Sequence, residues 1–236
     1  LMQRGMVQRA LGAYTESIAS SSRGLELARR NLDQRLIAGC TEGLGNAYRL
    51  LGDTSKAEVL LNEALLEAEG SGQKYISAIY NISLGKAHYQ IGSYAKPLEH
   101  LELAEQQLTG LHSSQRLAET KLVQAAIHYR TDKYKEAVEN LTQVAGFVSR
   151  LGYNGWLLAY GAETLDVLRF GAARRLGGEV FPRLVARLTR TETDQLDPDV
   201  SHIMVGSFVR FPAIRASSFG YPRVFLDILE VTDGEW

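Results

Sequence analysis

Apolar and small residues return along this chain at a fixed step of forty, and within each step they follow helical spacing. Leu61, Leu101 and Leu141 form one register, Gly45, Gly85 and Ala125 a second, and Ala57, Pro97 and Ala137 a third. Ala64, Ala104 and Val144 follow farther on, with turn residues Gly52, Gly92 and Asp132 between them. A repeat of this length with a 3.6-residue period inside it predicts stacked helical hairpins, each too small to bury its own apolar face.

The second unit shows the expected pattern. Leu44, Tyr48 and Leu51 are predicted to share one face of a helix over 41–51, which Gly52-Asp53 ends, with Asp53 starting the next helix. Ala57, Leu61, Ala64, Leu65 and Ala68 then line the second helix, closed by Gly70-Ser71-Gly72. The third unit repeats this through Leu84-Gly85, His88, Gly92-Ser93-Tyr94, Leu98, Leu101 and Ala104, and tolerates Pro97 because it falls in a first helical turn. The fourth keeps Ala125, Tyr134, Ala137 and Leu141. Gly12, Tyr14, Leu25 and Ala28 fit a first unit, with Ser17, Ser21 and Gly24 at close contacts. Segments 156–174 and 179–190, broken by Gly177-Gly178, fit a fifth. The expected array is five hairpins, about ten helices.

Leu44-Gly45-Asn46-Ala47-Tyr48, Gly52-Asp53, Lys56-Ala57 and Glu63-Ala64-Leu65, then Leu84-Gly85-Lys86-Ala87-His88 with Gly92-Ser93-Tyr94, resemble the tetratricopeptide (TPR) repeat. The resemblance covers roughly residues 2 to 190 and implies an all-α, right-handed α-solenoid of about five TPR-like hairpins. The forty-residue step is similar to the longer repeats of MalT-like and ATP-dependent LuxR-type bacterial transcriptional activators. Segment 191–206 reads as an acidic linker, from Glu192, Asp194, Asp197 and Asp199. Segment 207–236 is expected to be a short β-rich ribbon around Gly220-Tyr221-Pro222. Phe219-Gly220, Arg223-Val224, Leu226-Asp227, Val231-Thr232 and Glu235-Trp236 resemble the opening of the winged-helix domain of SARP-like activators, although Ile228 stands where a turn glycine is usual. That resemblance implies a truncated DNA-binding domain without its recognition helix.

Charge adds little. Over 236 residues the net charge is -1, so no global field attracts nucleic acid or an anionic membrane, and no apolar run approaches a membrane span. Cys40, the single cysteine, has no internal disulfide partner and fits a reducing, cytoplasmic setting. Chemistry is sparse as well. Gly43-x-Gly45 lies inside an amphipathic helix and reads as packing instead of a phosphate loop. His88 and His128 occupy equivalent places in neighbouring repeats and are expected to be core residues, not metal ligands. Arginines 169, 174, 175, 183, 187 and 190, against Glu179, read either as a solvated last helix balanced by the acidic linker or as a partner surface.

In the TPR family the concave surface is lined by the first helix of each pair. At 100° per residue from Gly85, Ile82, Lys86, Tyr89 and Gln90 fall there, and the repeat step adds Asn46, Arg49, Tyr129, Arg130, Asp166 and Arg169. Lys86, Tyr89, Tyr129 and Arg130 are expected to touch a protein, peptide or polar small-molecule effector. The expected function is the sensing domain of a bacterial transcriptional regulator, neither enzymatic nor itself DNA-binding, with no cofactor or metal. A free-standing TPR adaptor is the alternative.

Overall fold

The computed structural model describes residues 1–111, 113–151 and 158–193. Among them the chain forms α1 (Met2–Ala10), α2 (Tyr14–Arg30), α3 (Gln34–Leu51), α4 (Thr54–Gly70), α5 (Lys74–Gln90), α6 (Ala95–Leu108), α7 (Ser114–Arg130), α8 (Tyr134–Leu151), α9 (Leu158–Ala173) and α10 (Val180–Thr193). No strand occurs among the described residues. The odd-numbered helices pack side by side, α1 on α3 and so on to α9, and each is paired with the even-numbered helix after it. The result is an α-solenoid of five hairpins.

The forty-residue register is a packing register. Leu61, Leu101 and Leu141 are each wholly buried, as are Ala57, Ala64, Ala104 and Ala137. Gly45 and Gly85 face those leucines: a Cβ on Gly45 would lie 2.7 Å from Leu61 Cγ, and one on Gly85 2.9 Å from Leu101 Cγ. The missing side chains let the paired helices close on the leucine knobs. Capping follows the sequence too. Asp33 and Asp53 accept hydrogen bonds from the amides of Leu36 and Lys56, satisfying first-turn donors. Gly52, at φ 95°, ends α3 in the left-handed conformation, a role Asp132 fills before α8 at φ 59°.

Some boundaries differ from the sequence reading. The first helix of unit two begins at Gln34, about two turns before Thr41. Leu51 does not join Leu44 in the core; as the last residue of α3 it projects beside the turn and is 53% exposed. Residues 191–193, assigned to the linker, complete α10. The rest of the linker, 194–206, and the ribbon over 207–236 lie outside the described residues. No helix among the described residues is long and apolar enough to cross a membrane.

Candidate functional site

Helices α5 and α7 are enclosed by neighbours on nearly every side, so residues 80–88 and 118–127 are buried almost without a break. Much of the expected concave lining is therefore interior. Ile82 is a correction: it is 2% exposed and packs with Ala78, Leu101, Ala104, Val123 and Ile127 as a core residue. Asn46, Arg49 and Lys86 are 7%, 4% and 6% exposed, and each is engaged by the chain's own polar groups.

Those groups form a floor of ion pairs. The Lys86 ammonium pairs with Glu119, and Arg116 holds the other oxygen of that carboxylate at 2.7 Å. Burial alone would raise the Glu119 pKa, but Lys86 and Arg116 outweigh it and bring the carboxyl from 4.5 to about 2. For Lys86 burial wins, lowering its pKa against the pull of Glu119. Arg49, on α3, reaches across three repeats to pair with Glu163 on α9, and exchanges hydrogen bonds with Gln90 on α5, whose amide donates to the Arg49 carbonyl at 3.1 Å. Asn46 donates to Glu42 and, at 3.1 Å, to Ser83. Lys121 binds Glu105 at 2.6 Å. Buried charges persist only when paired and hydrogen-bonded, and this network satisfies them without a ligand.

The other expected residues reach solvent. Gln90, Arg130, Asp166 and Arg169 are exposed, and Tyr89 and Tyr129 are partly so. Arg130 pairs with Asp166 at 2.8 Å, and its charge acts on the Tyr89 phenol. Burial raises the Tyr89 phenol pKa, and Arg130 partly offsets it. Beside them the rings of Tyr129, Tyr134 and Phe170 cluster with centroids 4.9 to 5.9 Å apart, and Tyr94 packs against Tyr89. The structure thus divides the predicted ten-residue groove in two. Asn46, Arg49 and Lys86 join the floor and Ile82 the core beneath it, while Tyr89, Gln90, Tyr129, Arg130, Asp166 and Arg169 form a rim contributed by three consecutive repeats.

Sequence reasoning passed over Glu119, Glu163 and the Phe170–Tyr134 contact. Arg116 and Glu119, three apart on one helix, carried a signal; Arg49 and Glu163, 114 residues apart, carried none, because only the superhelix brings them together. His88 is buried as expected, but its ring stacks on His100 at 5.7 Å, and His100 Nδ1 lies 2.8 Å from Asn81 Oδ1. No group of three His, Cys, Asp or Glu residues able to hold a metal occurs among the described residues.

Five stacked helical hairpins with small residues at the intrahairpin contacts define a TPR-like α-solenoid fold. Solved structures agree on that fold. BtubC (BKLC) from P. vanneervenii superposes with a TM-score of 0.58 at 16% identity, covering 82% of this chain and 80% of that one. A putative kinesin light chain of P. anserina with nearly identical TPR-like repeats gives a TM-score of 0.56 at 17% identity, covering 82% of this chain and 95% of that one. No protein-family model matches the sequence, and no curated protein matches it.

Proposed function

We propose that the array is a non-enzymatic, cytoplasmic scaffold that holds a protein partner along the rim of α5, α7 and α9. The observation that carries this is the division of the inner helices into a floor closed by its own ion pairs and an accessible rim of aromatic, amide and charged groups repeating from hairpin to hairpin. Aromatic faces supply contact area and the charged groups set register, the usual division of labour at a protein interface. The fold supports the same reading, since stacked hairpins present extended surfaces.

The test places a photo-crosslinking residue at Gln90 and, as a control, at Leu66 on the outer face of α4. A partner captured at Gln90 alone should then lose affinity for Tyr129→Ala with Arg130→Glu, by about tenfold or more, while the melting temperature changes little. Equal capture at Leu66, or affinity indifferent to both changes, contradicts the assignment. Lys86→Glu is unsuitable for this purpose, because it would set two carboxylates together in the interior.

A narrower reading makes this scaffold the sensing part of a transcriptional activator, with a peptide or polar small molecule as effector. What favours it is the resemblance of residues 219–236 to a winged-helix opening, in a segment outside the described residues. An electrophoretic mobility titration tests it. Residues 1–236 alone should bind DNA only weakly and lose it as salt rises, whereas a version extended by fusion to a complete winged-helix domain of on the order of 100 residues should bind a defined promoter. Failure of the extended version leaves the adaptor reading.

A further inference from the structure

The turn between α9 and α10 gathers four exposed arginines. Arg169 lies one turn before the end of α9, Arg174 and Arg175 lie in the turn, and Arg183 lies one turn into α10. None of the four makes an ion pair among the described residues, while the nearby Asp166 carboxylate is engaged by Arg130 at 2.8 Å. Glu179 is the one other carboxylate of this turn. The surface is therefore strongly positive in a chain whose net charge is -1.

It is also a built surface, not a set of free side chains. The Arg174 guanidinium lies 3.8 Å over the Phe170 ring. Phe170 in turn contacts Tyr129 at 4.9 Å and stacks with Tyr134 at 5.7 Å, and the Tyr134 hydroxyl donates to Asp132 at 2.6 Å. A guanidinium that stacks on a ring uses its face, so its N–H donors, which lie in its plane, are not consumed by the contact. That is the geometry a carboxylate meets with two parallel hydrogen bonds. Holding the fork in advance reduces the ordering cost of binding.

We propose that this arginine turn binds a carboxylate-rich segment of a protein partner, extending the rim of the scaffold described above and resting on that reading. A protein segment fits better than a nucleic acid. Single-stranded nucleic acid binds through a positively charged groove together with bases stacked on open aromatic faces, and here Phe170, the ring beside the arginines, already carries Arg174 over its face. Carboxylates need only the in-plane donors.

The experiment measures fluorescence anisotropy of the full chain with three probes at physiological salt: a labelled peptide of about a dozen residues alternating Glu and Ser, its Lys–Ser counterpart, and oligothymidylate of similar charge. The Glu–Ser peptide should bind and the Lys–Ser peptide should not. Arg174→Glu with Arg175→Glu should weaken the acidic peptide by about tenfold or more, and Arg23→Glu, on α2, should leave it unchanged. Phe170→Leu retains every charge but removes the stacked support, and should weaken binding severalfold. Circular dichroism confirms that each variant is folded. Absence of Glu–Ser binding, binding indifferent to both arginine reversals, or tighter binding of oligothymidylate overturns the proposal. Crosslinking at Gln90 is read independently, so a scaffold without this charge preference is distinguished from no scaffold at all.

Discussion

Glu119→Gln is the sharpest probe of the ion-paired floor. The side chain of Glu119 is 3% exposed and that of Lys86 7%, and the substitution keeps the shape while removing the charge that faces Lys86 and Arg116. The folded carboxyl titrates at about 2 against an ordinary 4.5, which at about 1.4 kcal/mol per pH unit corresponds to about 3 kcal/mol of favourable coupling. Breaking a buried pair from one side typically costs about 3–5 kcal/mol, because the remaining charge stays buried. The two partners differ in sign, however: Glu119 gains from its cations, whereas burial lowers the Lys86 pKa despite the carboxylate. The pair as a whole then adds little, and Lys86→Met with Glu119→Leu should fall within about 1 kcal/mol of the parent or above it. Urea melts with a common m-value give both numbers. The stabilisation from Glu119 should be complete above pH 4.5 and fade as pH falls toward about 2. A Glu119→Gln loss under about 1 kcal/mol would refute a buried, mutually dependent floor.

Other outcomes follow from the same geometry. Ala57→Leu, at a wholly buried position, should cost about 1–3 kcal/mol or more by overpacking, while Lys56→Leu on the exposed side should cost far less; equal urea midpoints would contradict the register. Gly85→Ala, whose Cβ would meet Leu101 at 2.9 Å, should destabilise by about 1–3 kcal/mol, and Leu101→Ala in that background should recover part of the clash. Burial lowers the pKa of His88, and burial together with His88 lowers that of His100. The unfolded chain therefore takes up protons first, and the melting temperature should fall as pH drops below about 6.5. Glu58, 3.7 Å from His88 Nε2, and Lys96 and Glu99 act on the same pair. A melting temperature flat from pH 8 to 5, or a slope unchanged in His88→Phe with His100→Phe, would contradict this.

The hairpins were legible because their contacts are local and periodic: Gly45 against Leu61 and Gly85 against Leu101 repeat one geometry at one spacing. Concave lining was legible only in part. The 100° rule placed Ile82 and Lys86 on a face that would be open if the array curved gently, but the winding encloses α5 on that side too. Arg49 shows the reason most clearly, since its partner Glu163 lies three repeats away and no local spacing announces it. The rim residues Tyr89 and Arg130 were found because they fall at the ends of α5 and α7, beyond the enclosed middle turns, and Asp166 because it lies one repeat on from that face and pairs with Arg130. Among the arginines at the end of the array, the stack on Phe170 separates Arg174 from an ordinary solvated charge, and it depends on a tertiary contact invisible in the charge pattern.

Hydrogen exchange on the complex with a partner captured at Gln90 tests the central claim most directly. Binding along the rim should slow exchange in the last turns of α5, α7 and α9 and in the turns that follow them, around 87–94, 127–134 and 167–175, and leave the outer faces of α4 and α6 unchanged. Protection confined to α4 and α6, or spread evenly from α1 to α10, would contradict it.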